Sequence, residues 1–175
     1  MATVAEEVSI SGIPVNRVLY SAVTESVYNA LEMCDIKARC VGISAMPTQQ
    51  TGILTGMIGV HGKVSGFVSM NISEQFAISA VEGLLQEEYG KLSSQVVDGV
   101  GEISNIVVGG IKSTLSKTEW GFSHITVPSV IVGQNFSIAY SRGLEFLTVT
   151  FEYDNPDVIR LEDRMLHVSM SLLTL

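Results

Sequence analysis

Apolar residues recur along Val15–Met33 at Val15, Val18, Leu19, Ala22, Val23, Val27, Ala30 and Leu31. Spacings near three and four predict an amphipathic helix there. The period then shortens. "TGILTGMIGV" and "KVSGFVSMNI" are strand-like runs on either side of His61-Gly62, which fits a hairpin turn. In "NISEQFAISAVEGLLQ", Asn71 with Glu74, or Ser73 alone, can cap a short helix. Gly90 and Lys91 lead into a second, longer helical pattern from about Leu92 to Lys117.

The last third turns strand-like. "HITVPSVIVG", "FSIAY", "LEFLTVTFEY" and "RMLHVSMSLLTL" are β-branched or alternating. Leu147, Val149, Phe151 and Tyr153 share one face, with Thr148, Thr150 and Glu152 on the other. Leu166, Val168, Met170 and Leu172 alternate in the same way with His167, Ser169 and Ser171. Between these two runs "DNPDVIRLED" is an acidic, proline-bearing loop. The order helix, strands, two helices, strands predicts an α+β fold: a mostly antiparallel sheet with helices, two of them long, packed on one face. No linker or repeat divides the chain, so residues 1–175 are expected to form a single domain.

Within the long helix, "VVDGVGEISNIVVGGIK" carries four glycines, each costing about 1 kcal/mol against alanine in an exposed helix interior. With Asp98 at zero and steps of about 100°, Glu102 falls near 40°, Asn105 near 340°, Gly109 near 20° and Lys112 near 320°. Val96, Val100, Ile103, Val107 and Ile111 occupy the opposite side, between about 140° and 220°. A buried β-branched stripe thus opposes a narrow polar one. That polar stripe fits a solvated face, but such a face favours better helix formers than glycine. Low bulk around one Glu and one Asn also fits a surface that something else approaches closely. Glu102 and Asn105, one turn apart, can aim at a common point. An Asn amide can orient a water but cannot deprotonate it. The pair alone lacks a nucleophile and a metal cage, so a partner would have to complete any active site.

Composition narrows the classes. Apolar residues make up 46% and charged residues 16%, which excludes a disordered chain. Net charge is −8, the wrong sign for a nucleic-acid or anionic-membrane surface. No apolar run approaches the roughly 20 residues of a membrane span. "MATVAEEVSI" lacks a basic and then a hydrophobic signal region, so a cytoplasmic protein is expected. Cys34 and Cys40 are expected to be reduced, structural thiols.

Other constellations fail on spacing. "GMIGVHGKVSG" lacks the phosphate-loop interval and has Val64 at the hydroxyl position. His61, His124 and His167 lie in separate elements without metal-ligand spacing. No G-x-S-x-G elbow is present. Trp120 and Phe122 are expected to be packing aromatics.

The long helix resembles the CheC/CheX/FliY phosphatases of bacterial chemotaxis. Their signature is [D/S]-x3-E-x2-N followed by Pro after 22 residues; here it is met by Asp98, Glu102, Asn105 and Pro128. "GVGEISNIVVGGIK" and "ITVPSVIVGQNFSI" look most like CheX. The resemblance implies hydrolysis of the aspartyl phosphate of a CheY-like receiver domain. Asn105 would orient the attacking water, and Glu102 would engage the regulator's Lys. Asp98, Gly109 and Lys112 would contact the partner. The resemblance implies no cofactor of the chain's own, with Mg²⁺ in the partner, and a homodimer through sheet-edge pairing. CheC-type members carry a second E-x-x-N on the first helix. Here Glu25 is followed three residues later by Tyr28, with Asn29 one place out of register, so one site per chain is expected. A non-catalytic module that binds regulators or a flagellar-switch component is the alternative.

Overall fold

A computed structural model of the chain describes residues 7–10, 13–47, 49–140 and 143–174. The acidic start of the chain, residues 1–6, lies outside them. Strands β1 (Glu7–Ile10) and β2 (Ile13–Asn16) form a small antiparallel ladder. Helix α1 (Arg17–Met33) follows directly, starting two residues later than its apolar pattern because Asn16 caps it. Asn16 Oδ1 accepts from the amides of Val18 (3.0 Å) and Leu19 (3.2 Å).

A seven-stranded antiparallel sheet carries the rest. Its members are β3 (Ala38–Ser44), β4 (Leu54–Gly62), β5 (Val64–Ile72), β6 (Phe122–Ile125), β7 (Ser129–Val132), β8 (Glu145–Tyr153) and β9 (Met165–Thr174). They lie in the order β3-β8-β9-β5-β4-β6, with β7 also on β4. Helices α2 (Glu74–Leu85) and α3 (Ser94–Leu115) join β5 to β6. The α+β architecture with helices over an antiparallel sheet is the one expected.

Register explains the core. Leu54, Ile72, Leu166 and Phe151 face each other across four strands, as do Ile58, Val68, Met170 and Leu147. With α1 and α3 they form one buried cluster. The opposite face is hydroxyl-rich but not solvated. Thr148 and Ser169 are buried and lie 2.7 Å apart through their hydroxyls. Glu152 is also buried there, and its Oε2 accepts from Arg39 Nη2 at 2.8 Å, tying edge strand β3 to β8.

The structure refines several local expectations. "FSIAY" forms no strand beyond a single bridge of Phe136 to Gln50. Instead the segment brings Tyr140 onto the hydroxyl-rich face, stacked on Phe67 (5.5 Å between centroids) and edge-on to Phe146 (4.9 Å). Covering that face buries aromatic area that a further edge strand would leave in water. The alternating run "HITVPSVIVG" is interrupted at 126–128 around the proline, which separates β6 from β7. The β4–β5 turn centres on Lys63, since His61 already pairs with Ser65. Asn71 is no helix cap. It is buried and holds Gly52, accepting from its amide (2.8 Å) and donating to its carbonyl (3.1 Å). Ser73 occupies the cap position of α2, but its hydroxyl donates to the Asp163 carbonyl. Both cysteines are free thiols.

Candidate functional site

Helix α3 begins at Ser93, whose Oγ accepts from the Val96 amide at 3.3 Å. Val96, Val100, Ile103, Val107 and Ile111 are all at most 2% exposed. Burying each contributes about 1.5–3 kcal/mol. Five such residues outweigh four glycine penalties of about 1 kcal/mol each. The helix is therefore set by its buried face, and the other face is free to carry function.

On that other face Asp98, Glu102, Asn105 and Gly109 are exposed, and Lys112 is half-buried. The stripe predicted from the angles is thus brought together as one surface. Among the described residues, no side-chain hydrogen bond or ion pair engages Asp98, Glu102 or Asn105. Carboxylate and amide groups point outward from a helix whose backbone is held rigidly by the core.

The glycines divide into two groups. A Cβ on Gly99 would lie 2.5 Å from Val81 Cγ1 of α2. One on Gly110 would lie 2.8 Å from Ser26 Oγ of α1. These two permit close helix packing inside the fold. A Cβ on Gly101 would make ordinary contacts, 3.5 Å from Val130 and 3.7 Å from Pro128. Gly109 is different, because no described residue lies within 4 Å of the position its Cβ would take. Its smallness serves none of the described neighbours.

Pro128 therefore stands beside the N-terminal half of α3, against Gly101. Thr126 holds the start of this connection on β4. Its amide donates to the Gly59 carbonyl and its Oγ1 accepts from the Gly59 amide, both at 2.9 Å. The next residue, Val127, is left 82% exposed. This exposed apolar side chain, next to the proline that packs against Gly101, was not singled out from the sequence. The available signal was the proline, which holds its preceding residue extended.

His61 and His124, which the sequence places in separate elements, are cross-strand partners on β4 and β6. His167 instead lies on β9, with Nδ1 3.0 Å from Thr150 Oγ1, and burial lowers its pKa. On α1, the Tyr28 hydroxyl accepts from the Cys40 amide at 3.0 Å and its ring packs edge-on to Phe151. The position three after Glu25 thus has a structural task. Among the described residues no group of three His, Cys, Asp or Glu side chains gathers to hold a metal, and no helix is long and apolar enough to cross a membrane.

The chain is thus an α+β domain that displays an exposed Glu–Asn pair on a helix buried on its opposite side, with a proline packed alongside. Residues 54–152 match the family model described as chemotaxis phosphatase CheX. The chain is a member of the CheX family of chemotaxis proteins. Solved structures agree in fold. The chemotaxis protein CheX of Vibrio vulnificus is 22% identical, with a TM-score of 0.75 over 89% of this chain and 99% of that one. A CheC-like superfamily protein from Shewanella sp. PV-4 is 21% identical, with a TM-score of 0.75 over 91% and 99%. CheX of Borrelia burgdorferi, solved as a CheX–CheY–BeF3–Mg²⁺ complex, is 21% identical, with a TM-score of 0.67 over 89% and 95%. No curated protein matches the chain.

Proposed function

We propose that the chain is a single-domain phosphatase of the cytoplasm that removes the phosphoryl group from the aspartyl phosphate of a CheY-like receiver domain. The observation that carries this reading is the exposed Glu102–Asn105 pair, unengaged by any described residue and fixed on a helix buried on its opposite side. Membership of the CheX family and the CheX–CheY complex of the Borrelia burgdorferi protein support the substrate class.

Asn105 holds a water through its amide, so that the water oxygen meets phosphorus in line with the aspartyl oxygen. The new P–O bond forms as the bond to that oxygen breaks, leaving the aspartate carboxylate and inorganic phosphate. The amide positions the water without taking its proton, which leaves with the phosphate. Positioning is the main demand of phosphoryl transfer. Glu102 pairs with the receiver's Lys and sets the helix over the site. Asp98 and Lys112 contact the partner at either end of the stripe, and Gly109 leaves room for it. The Mg²⁺ belongs to the receiver and neutralises phosphoryl charge there.

The test is phosphate release from a phosphorylated receiver with Mg²⁺. Asn105→Ala should lower turnover about 100-fold, the scale of losing one oriented catalytic group, with an unchanged melting curve. Full activity in that variant ends the water-orienting role. Binding of the phosphorylated receiver without faster decay would instead make the chain a docking module.

The homodimer is part of the proposal. The sheet ends in β3 and in β6 and β7, and Val41 on β3 and Ile131 and Val132 on β7 are exposed at these edges. Exposed apolar edge strands favour strand addition. Light scattering should give twice the chain mass, and Ile131→Lys or Val41→Lys should return the monomer.

A further inference from the structure

Past Asn105 the polar stripe runs into a groove of about 970 Å³, bounded by the C-terminal half of α3 and by β4, β6 and their loops. That is the upper end of the range for binding pockets, about 300–1,000 Å³. Gly109 and Lys112 line it from the helix, Ser116 from the helix cap, His61 and His124 from the strands, and Lys63 from the β4–β5 turn. Among the described residues that line it none is Asp or Glu, although the chain has a net charge of −8.

A helix C-terminus ordinarily repels anions through its free carbonyls. Here two of those carbonyls are engaged. The Leu115 carbonyl accepts from the Thr118 amide (2.9 Å) and its hydroxyl (2.8 Å), and the Ser113 carbonyl accepts from Ser116 Oγ at 2.8 Å. Lys63 Nζ donates to the Thr118 carbonyl at 2.9 Å, which holds its ammonium at the groove. The lysines thus set the local sign. Two ammonium groups also make the groove unsuitable for a metal cation.

Distance ties the groove to the site. Gly109 lies about 6 Å along the helix from Asn105, and Lys112 about 10 Å. A specific protein interface covers about 800 Å² on each partner, a disc of roughly 16 Å radius. A receiver with its phosphorus at Asn105 therefore covers the groove as well. We infer that the groove is a second docking point for the phosphorylated receiver, accepting an acidic segment that flanks its phosphorylation site. This rests on the phosphatase reading above. It also gives Gly109 a reason, since a side chain there would stand between the stripe and the groove.

The test measures KM and kcat for a phosphorylated receiver, and direct binding of the receiver in its beryllofluoride form, at low and high salt. Lys63→Glu should raise KM and Kd about tenfold, leave kcat within about twofold, and flatten the salt dependence. Lys63→Arg should behave as wild type. So should Lys37→Glu, an exposed charge reversal between α1 and β3 at the other end of the sheet. Unchanged Kd in Lys63→Glu overturns the proposal, and so does an equal loss in Lys37→Glu. If wild type binds the receiver without hydrolysis and Lys63→Glu weakens that binding, the groove stands and the phosphatase reading falls. A Glu-rich decapeptide, followed by fluorescence of the single tryptophan, Trp120, supplies a separate arm. Peptide binding that Lys63→Glu abolishes, with no receiver bound by wild type, overturns the choice of partner.

Discussion

A Cβ on Gly110 of α3 would lie 2.8 Å from Ser26 Oγ and 2.9 Å from Ser26 Cβ of α1. The two helices meet through small side chains, and Ser26 is buried with its hydroxyl unpaired among the described residues. Gly110→Ala should therefore destabilise the fold by about 1–3 kcal/mol, the range for overpacking, despite alanine's better helix propensity. Ser26→Gly should recover part of the loss. A double-mutant cycle by urea unfolding checks it, and a simple gain in stability from Gly110→Ala would show that the helices can part without cost.

Gly109, one residue earlier, should behave in the opposite way. With open space around it, Gly109→Ala should stabilise the helix by up to about 1 kcal/mol. Gly109→Leu should fold equally well and yet bind a phosphorylated receiver more weakly. The pair of measurements separates a glycine kept for packing from one kept for access. If Gly109→Leu bound the receiver as wild type does, the access role would be wrong.

The same contrast shows what the sequence could and could not supply. The polar stripe was legible because helical angle is fixed by residue number alone, and the structure places Asp98, Glu102, Asn105 and Gly109 on one exposed face. The glycines were ambiguous, since a missing side chain looks alike whether its space belongs to a neighbouring helix or to solvent. Only the positions of Val81 and Ser26 decide that Gly99 and Gly110 pack internally. Strand faces were likewise half legible. Alternation in β8 and β9 marked the apolar face, but the hydroxyl face looked solvated because Tyr140 arrives over it from a distant segment. The groove was hidden for the same reason, since Lys63 and Lys112 meet only through the packing of α3 on β4.

The cysteines should differ in reactivity. Cys34 is 2% exposed, and burial pushes its thiol up to about 11. Because the thiolate is the reacting form, Cys34 should be inert to a thiol reagent at pH 8 in the native protein. Half-buried Cys40 should react slowly, and both should react rapidly in denaturant. Two fast native thiols would mean that the C-terminal end of α1 opens readily.

His167 should make stability depend on pH. Burial lowers its pKa below the ordinary value of 6.5, and its Nδ1 lies 3.0 Å from Thr150 Oγ1. Between the folded value and about 6.5 the unfolded chain binds the proton and the folded chain does not. Stability therefore rises with pH across that window. The contribution is fully present above about 6.5 and is lost as pH falls through the folded pKa. Urea midpoints measured from pH 7.5 to 5 should fall for the wild type. His167→Gln keeps a hydrogen-bonding group but cannot take up a proton, so its midpoint should fall less over the same range. Its absolute stability can shift with the lost imidazole packing, so the slope, not the midpoint itself, carries the test. Equal slopes would assign the pH dependence to other groups.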